Sequence, residues 1–422
     1  MSADAPGTDG EREAPPNLLV VCVDCLREDV LRTDRTVTPF LDDLRERGLA
    51  CTELYATATT TTPCVASLLT GTYSERNGLR SLRHGELSAD VRSLAELLSD
   101  AGYHTEAHVT GPLLPETGLD RGFDVYRHRP ESASVFGSWG EEARARLADL
   151  TDPFAAVVHL WELHEDVEVP DAYDRPRYGA TPYARALSAL DPQVRSLVDV
   201  VPDDTLVAVV GDHGESITHR HNPVRLLVKS LRDALRYYGG VDTRPAVNRL
   251  NRALDGFGPD VRDRFVENGH GENVLDATTN VPFVLAGPGV EAATVDAQVR
   301  QVDVLPTLLD ALDLPVPAVD GEPIRADSEE RPAYMRACGA SLHGERNWAR
   351  GVRLGGAKYV EYPNRDWSPE VYDLRADPRE LTPVDDPALA ARLERELPPP
   401  GRPPADETRL DIDDHLRDLG YL

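Results

Sequence analysis

Three stretches of the sequence combine residue types that do chemistry on anionic esters. The first, Asn17-Leu18-Leu19-Val20-Val21-Cys22-Val23-Asp24, is an apolar run that ends on a carboxylate. The second, Thr59-Thr60-Thr61-Thr62-Pro63-Cys64-Val65-Ala66-Ser67-Leu68-Leu69-Thr70-Gly71, is a hydroxyl-rich turn leading into a short apolar segment. The third, Thr205 to Gly211, is another apolar run, and Asp212-His213-Gly214-Glu215 follows it. Carboxylate oxygens with an imidazole nitrogen suit a divalent cation such as Ca, Mg, Mn or Zn. Such an ion lowers the pKa of a coordinated hydroxyl and polarises a sulfuryl or phosphoryl oxygen. A hydroxyl at a helix start also faces unpaired N–H groups and the positive end of the helix dipole. Each stretch alone is ordinary: Ser/Thr-rich N-caps are common, and a D-H-G-E run can cap a helix.

The elements that must position these residues read as alternating strands and helices. Continuous apolar runs suit strands buried on both faces, as in a parallel sheet. Open α/β sheets place their sites at the C-terminal strand ends, where Asp24 and Asp212 fall. Pro63 fits the first turn of a helix and Gly71 fits its end. Thr38–Gly48, Ser93–Ala101, Tyr183–Val201 and the Pro-interrupted Asp303–Leu312 read as further helices. Strands are expected at Ala107–Val109, Phe154–Trp161 and Val281–Gly287, with a loop at Gly118–Asp124. Glu162-Leu163-His164 follows the Phe154 strand, and Gly269-His270-Gly271 precedes the Val281 strand. Residues 222–268 are Arg/Leu-patterned and helical, either a lid over the site or a surface helical pair. Ala318–Pro332 reads as a linker, and the remainder has short strand-like pieces around Val352 and Tyr359 and a terminal helix. The fold class is therefore α/β with a mostly parallel sheet. The expected division is a flexible acidic leader over 1–16, a main domain over 17–325 and a small C-terminal α+β subdomain over 326–422.

Composition narrows the classes. The chain has 422 residues, 41% hydrophobic, with 45 Lys+Arg against 73 Asp+Glu and a formal net charge of -28. Only Lys229 and Lys358 are lysines. Acidic residues spread over the whole chain read as a halophilic surface, whose self-repulsion is screened by counterions. This balance argues against a nucleic-acid-binding face. The five cysteines are odd in number and irregular in spacing, so they suggest no disulfide framework. Cys22-Val23-Asp24-Cys25 is formally C-x-x-C, but on an apolar strand these read as small buried hydrophobes. No secretory pattern opens the sequence and no run approaches a membrane span, so a cytoplasmic protein without membrane partners is expected. The oligomeric state is left open.

Asn17–Asp24 with Arg27 and Asp29, Thr38–Gly48, Ser67-Leu68-Leu69-Thr70-Gly71, Gly118–Asp124, Asp212–Glu215, Val302–Leu312 and Tyr372-Asp373-Leu374 together resemble the sulfatase family of the alkaline-phosphatase superfamily. The resemblance spans the chain after residue 16 and keeps the family's motif order. It implies an alkaline-phosphatase-like three-layer α/β/α sandwich, a metal ion held by Asp24, Asp212 and His213, and a nucleophile in the Thr-rich turn. Sulfatases place a cysteine or serine, oxidised to formylglycine, at the head of C/S-x-P-S-R. Counted back from Leu68-Leu69-Thr70-Gly71, Thr61 takes that position, Pro63 the proline, Cys64 the serine and Val65 the arginine. Threonine cannot become formylglycine, whereas related phosphodiesterases, phosphonate hydrolases and phosphoryl-group transferases use threonine directly. Cys64 reads as a packed residue. The family's first strand often ends in two aspartates, and here Cys25 stands second, which favours one metal ion over two. His164 resembles a family histidine that contacts ester oxygens, and His270 falls near a substrate-binding position. Both are candidates to bind the anion or protonate the leaving group. His108, His159, His219 and His221 read as ordinary polar residues. The function implied is metal-dependent hydrolysis of a small-molecule or glycan sulfate or phosphate ester. The alternatives are a phosphodiesterase, phosphonate hydrolase or phosphoryl-group transferase, and an inactive binding or scaffold protein.

Overall fold

The computed structural model describes residues 15–418 apart from 33–35, 131, 165–166, 218–222, 256–262, 268, 338–347 and 400–409. The expectations for His219, His221 and most of the leader lie outside these residues. Strand β1 (Asn17–Val23) is buried along its whole length. Its alternation serves two cores at once: Leu18, Val20 and Cys22 pack on one face of the sheet, and Leu19, Val21 and Val23 on the other. That pattern requires helices on both faces. Helix α1 (Pro39–Arg47) buries Leu41 and Leu44 on the second face. Helix α2 (Thr61–Thr70) buries Val65, Leu68 and Leu69 on the first.

The main sheet has nine strands: β1, β2 (Leu49–Tyr55), β3 (His104–Val109), β4 (Val125–His128), β5 (Phe154–Leu160), β6 (Thr205–Gly211), β7 (Asn280–Ala286), β8 (Ala293–Val295) and β9 (Val299–Arg300). The order is β4-β3-β5-β1-β6-β7-β2-β8, with β9 beside β2. Helix α3 (Leu94–Asp100), opened by a Ser93/Glu96 capping box, joins α2 on the first face. Helices α4 (Ser138–Ala148) and α5 (Pro182–Val198) join α1 on the second. The result is a three-layer α/β/α sandwich.

The centre of the sheet is parallel, β5-β1-β6, with Val23 opposite both Leu160 and Gly211. The residues after these three strands therefore emerge side by side. β7 runs antiparallel to both β6 and β2. β2 consequently points the same way as β1 and β6, and its C-terminal end delivers the Thr-rich turn to the edge that carries Asp24. β2 was not among the expected strands: it follows Gly48 directly and carries no turn signal of its own.

Residues 223–255 contain α6 (Pro223–Asp233) and α7 (Arg244–Ala253). α6 is amphipathic in the reverse sense. It buries Arg225 and Arg232, while Leu227 and Leu231 are 70% and 60% exposed. Lys229 and Arg232 pair with Glu272, and Arg232 also pairs with Glu267. Helix α8 (Val304–Ala311) closes the first core. The C-terminal region forms a four-stranded antiparallel sheet, β10 (Ala333–Ala337), β11 (Ala349–Leu354), β12 (Ala357–Glu361) and β13 (Glu370–Asp373). Helix α9 (Pro387–Glu394) packs on it through Leu393.

Candidate active site

Four buried side chains meet where β1, β6 and α2 converge. Asp24 follows β1, Asp212 and His213 follow β6, and Thr61 is the first residue of α2. The Thr61 hydroxyl donates to Asp24 Oδ2 at 3.0 Å and lies 3.3 Å from His213 Nε2. The other ring nitrogen of His213 donates to the Gly214 carbonyl at 2.9 Å, which leaves the Nε2 lone pair facing the hydroxyl. Thr60 supplies no side-chain cap to α2. The positive end of this helix is therefore not neutralised by its own N-cap residue. Gly71 ends the helix in the left-handed region, φ 64°, as its position in the sequence requires.

Burial sets the electrostatics. Asp24 and Asp212 are fully buried, and desolvation pushes both carboxyls up to about 7. Hydrogen bonds from Cys25, Thr61 and neighbouring backbone N–H groups only partly oppose this. Burial pulls His213 down and takes His159 down to about 3, so both imidazoles are neutral. Among the described residues, no arginine or lysine pairs with either aspartate. Asp24 Oδ1 and Asp212 Oδ2 are buried with no hydrogen-bond partner. Orphaned carboxylate oxygens of this kind are costly unless a cation takes them up. Asp24, Asp212 and His213 each offer one donor atom, all within 4.8 Å of one another. This donor set fits a divalent cation.

A second layer holds the strand ends. Gln301 donates from Nε2 to the Asp212 carbonyl at 2.5 Å and accepts from the Thr57 N–H at 3.1 Å, so one carboxamide ties β6 to the approach of α2. Arg27 is fully buried. It binds the Glu215 carbonyl at 2.7 Å, Asp263 at 2.5 Å and Asp29 at 2.9 Å. Tyr183 donates to the Cys25 carbonyl at 2.6 Å. A Cβ at Gly214 would sit 2.2 Å from the Ala277 carbonyl oxygen, so only glycine lets the loop after His213 pass that close.

His164 stacks on Trp161 with 3.9 Å between ring centroids, and its ring meets that of His270 edge-on at 5.2 Å. His270 in turn lies 4.4 Å from the His213 ring. The fold thus brings all six candidate residues into one cluster, with the two outer histidines reached through ring contacts. Cys64 donates its thiol to the Ala58 carbonyl and packs in the first core beside Val65. The place where sulfatases carry arginine is therefore occupied by core packing. Cys25 and Glu215 are the site residues that sequence reasoning missed. Glu215 belonged to the quoted D-H-G-E run but had no role assigned, and Cys25 was taken as an apolar strand residue.

A family model described as Sulfatase matches residues 16–314. The chain belongs to the sulfatase family. It is similar to an arylsulfatase of Clostridium perfringens, 24% identical over 436 residues that cover 87% of this chain and 89% of that protein. Its fold is similar to the phosphonate monoester hydrolase of Agrobacterium radiobacter, with TM-score 0.65, 18% identity and 96% of each chain covered. It is also similar to an enzyme solved with its substrate D-glucosamine-2-N,6-O-disulfate, with TM-score 0.63, 16% identity, and 91% of this chain and 96% of that one covered. The sulfatase-family chain is thus a hydrolase with the alkaline-phosphatase-like fold. Among the described residues no helix is long and apolar enough to cross a membrane.

Proposed function

We propose that this sulfatase-family protein hydrolyses an anionic ester with Thr61 as the attacking group. The observation that carries the reading is the Thr61 hydroxyl itself, held between Asp24 Oδ2 and His213 Nε2 at the start of α2. Asp24, Asp212 and His213 would hold the divalent cation. When bound, that ion supplies charge stabilisation and a lowered pKa at a neighbouring hydroxyl. Asp24 Oδ2 already accepts the hydroxyl proton and so fixes the direction of the oxygen lone pairs. The dipole of α2 favours the negative charge that grows on the ester oxygens. His164 and His270 flank this point and serve to bind the anion or to protonate the leaving oxygen. The described helices α6 and α7 belong to the segment that would act as a cover in this reading. Asp263 is tied to Arg27, and α6 is tied to Glu272, two residues beyond His270.

Val65 in the core favours phosphate or phosphonate esters over sulfate esters, because the arginine that accompanies formylglycine has no place here. The substrate class is an anionic ester of a small molecule or glycan. The test is hydrolysis of p-nitrophenyl sulfate, p-nitrophenyl phosphate and bis(p-nitrophenyl) phosphate with added Mn or Mg. Thr61→Ala should lower kcat on the order of a thousandfold or more without loss of fold. Retained turnover in that variant would discard the nucleophile assignment.

A further inference from the structure

Beside the Asp24/Asp212/His213 set lies a second group of donors, Cys25, Glu215 and His270, of which only His270 has a place in the reading above. Cys25 has φ 60°, a left-handed conformation that a non-glycine residue holds only when its surroundings impose it. Its N–H is bound to Asp212 Oδ1 at 3.1 Å and its carbonyl to the Tyr183 hydroxyl at 2.6 Å. The backbone so pinned sends the sulfur away from the strand, toward Glu215 and His270. Cys25 Sγ lies 3.7 Å from Glu215 Oε2 and 3.8 Å from His270 Nδ1, and those two atoms are 3.0 Å apart. An ion with metal–sulfur bonds of about 2.3 Å and metal–nitrogen or metal–oxygen bonds of about 2.0 Å in tetrahedral array sets its ligands roughly 3.3–3.6 Å apart. All three side chains are buried, with His270 3% and Glu215 8% exposed at the side chain. Glu215 Oε1 is buried and has no hydrogen-bond partner. His213 Nδ1 is 3.9 Å from the sulfur but is turned to the Gly214 carbonyl, so His213 serves the first set through Nε2.

We propose that Cys25 Sγ, Glu215 Oε2 and His270 Nδ1 form a second cation site adjoining the first, selective for a borderline ion such as zinc. Thiolate and imidazole favour zinc over calcium or magnesium, which take oxygen donors. Three protein ligands leave a fourth position open, the arrangement of sites that bind water or substrate rather than purely structural ones. His270 then acts as a ligand, and anion contact falls to His164. The proposal departs from the single-ion expectation, and it uses the first site only as the reference for counting.

The experiment is metal analysis of the full chain after chelation, reloading with zinc and removal of excess, in wild type, Cys25→Ser, His270→Gln and Asp212→Asn. The cobalt(II) form of each is then scanned for sulfur-to-metal charge-transfer absorption. The expected result is two zinc ions per wild-type chain and one in each variant. The cobalt band is lost in Cys25→Ser and retained in Asp212→Asn. One zinc in wild type with no thiolate band overturns the proposal. A single zinc whose thiolate band disappears in both Cys25→Ser and Asp212→Asn also overturns it, because the sulfur then belongs to the first site. Two zinc ions retained in Asp212→Asn count against the first site and leave the second standing. Should Cys25→Ser fail to fold, the wild-type count, the wild-type cobalt spectrum and His270→Gln still decide.

Discussion

Two buried aspartates with orphaned oxygens would make the binding of a cation between them a proton-coupled event. Burial holds Asp24 and Asp212 at about 7 in the metal-free fold, against about 3.9 in an unfolded chain. Between those values the metal-free native state keeps protons that the unfolded state has released, so these two groups subtract stability as pH rises toward 7. A cation displaces the same protons and removes that loss. His213 is pulled down by burial, so below its ordinary range the unfolded chain binds the extra proton there, and this single group partly opposes the two aspartates. The rise in melting temperature on adding Mn or Zn should therefore grow from pH 5 to 7 and level off above, measured against chelated protein at each pH. A rise that is flat with pH would contradict this assignment. Asp24, Thr61, Asp212 and His213 were legible because strand ends and helix starts are written in apolar runs, Pro and Gly. Cys25 was not, because a left-handed residue carries no sequence mark when it is not glycine, and its neighbours in sequence are core residues. The partner of Glu215 lies 55 residues away, at a distance no local pattern reaches.

The elements locate the site by direction and closeness. β5, β1 and β6 run parallel in register, so Asp24, Asp212 and the Trp161–His164 turn share one edge. The continuous apolar run of β1, which suits a strand buried on both faces, made this part of the sandwich readable before any contact was known. The reversed strand β7 and its partner β2 were not readable to the same degree. Val281–Gly287 shows as a strand, but its direction is fixed only by pairing with β6 and β2. α6 marks another limit. The sequence shows only an Arg/Leu pattern there, and the fold turns Leu227 and Leu231 outward while it buries Arg232 against Glu267 and Glu272. Gly214 gives a test at this scale. Gly214→Ala forces a Cβ onto the Ala277 carbonyl and must displace the loop that carries His213 and Glu215. It should cost about 1–3 kcal/mol in urea unfolding and lower ester turnover well beyond that loss of folded protein. Unchanged stability and rate would show that the loop does not need this close approach.

The whole molecule carries a net charge of -28 on a fold that the comparisons place in a family of ester hydrolases. We attribute the charge to a surface that depends on counterions. At low ionic strength the acidic groups repel one another, and at about 1 M salt the screening length falls to roughly 3 Å. The melting temperature should rise steadily between about 0.1 M and 2 M KCl, and a curve that is flat or falling would contradict a salt-dependent surface. In the proposed reaction an anionic substrate must also approach this field, so kcat/KM should rise with KCl over the lower part of the same range. The positive end of α2 favours an anion locally against the overall charge, and a cation held by Asp24, Asp212 and His213 would add to that attraction.

The measurement that tests the central claim most directly is peptide mass mapping of enzyme quenched in acid during turnover of an activated phosphate or sulfate ester. The account predicts the added phosphoryl or sulfuryl mass on the peptide that contains Thr61, and its loss together with turnover in Thr61→Ala. The group found on another residue, or turnover that survives Thr61→Ala, would contradict it.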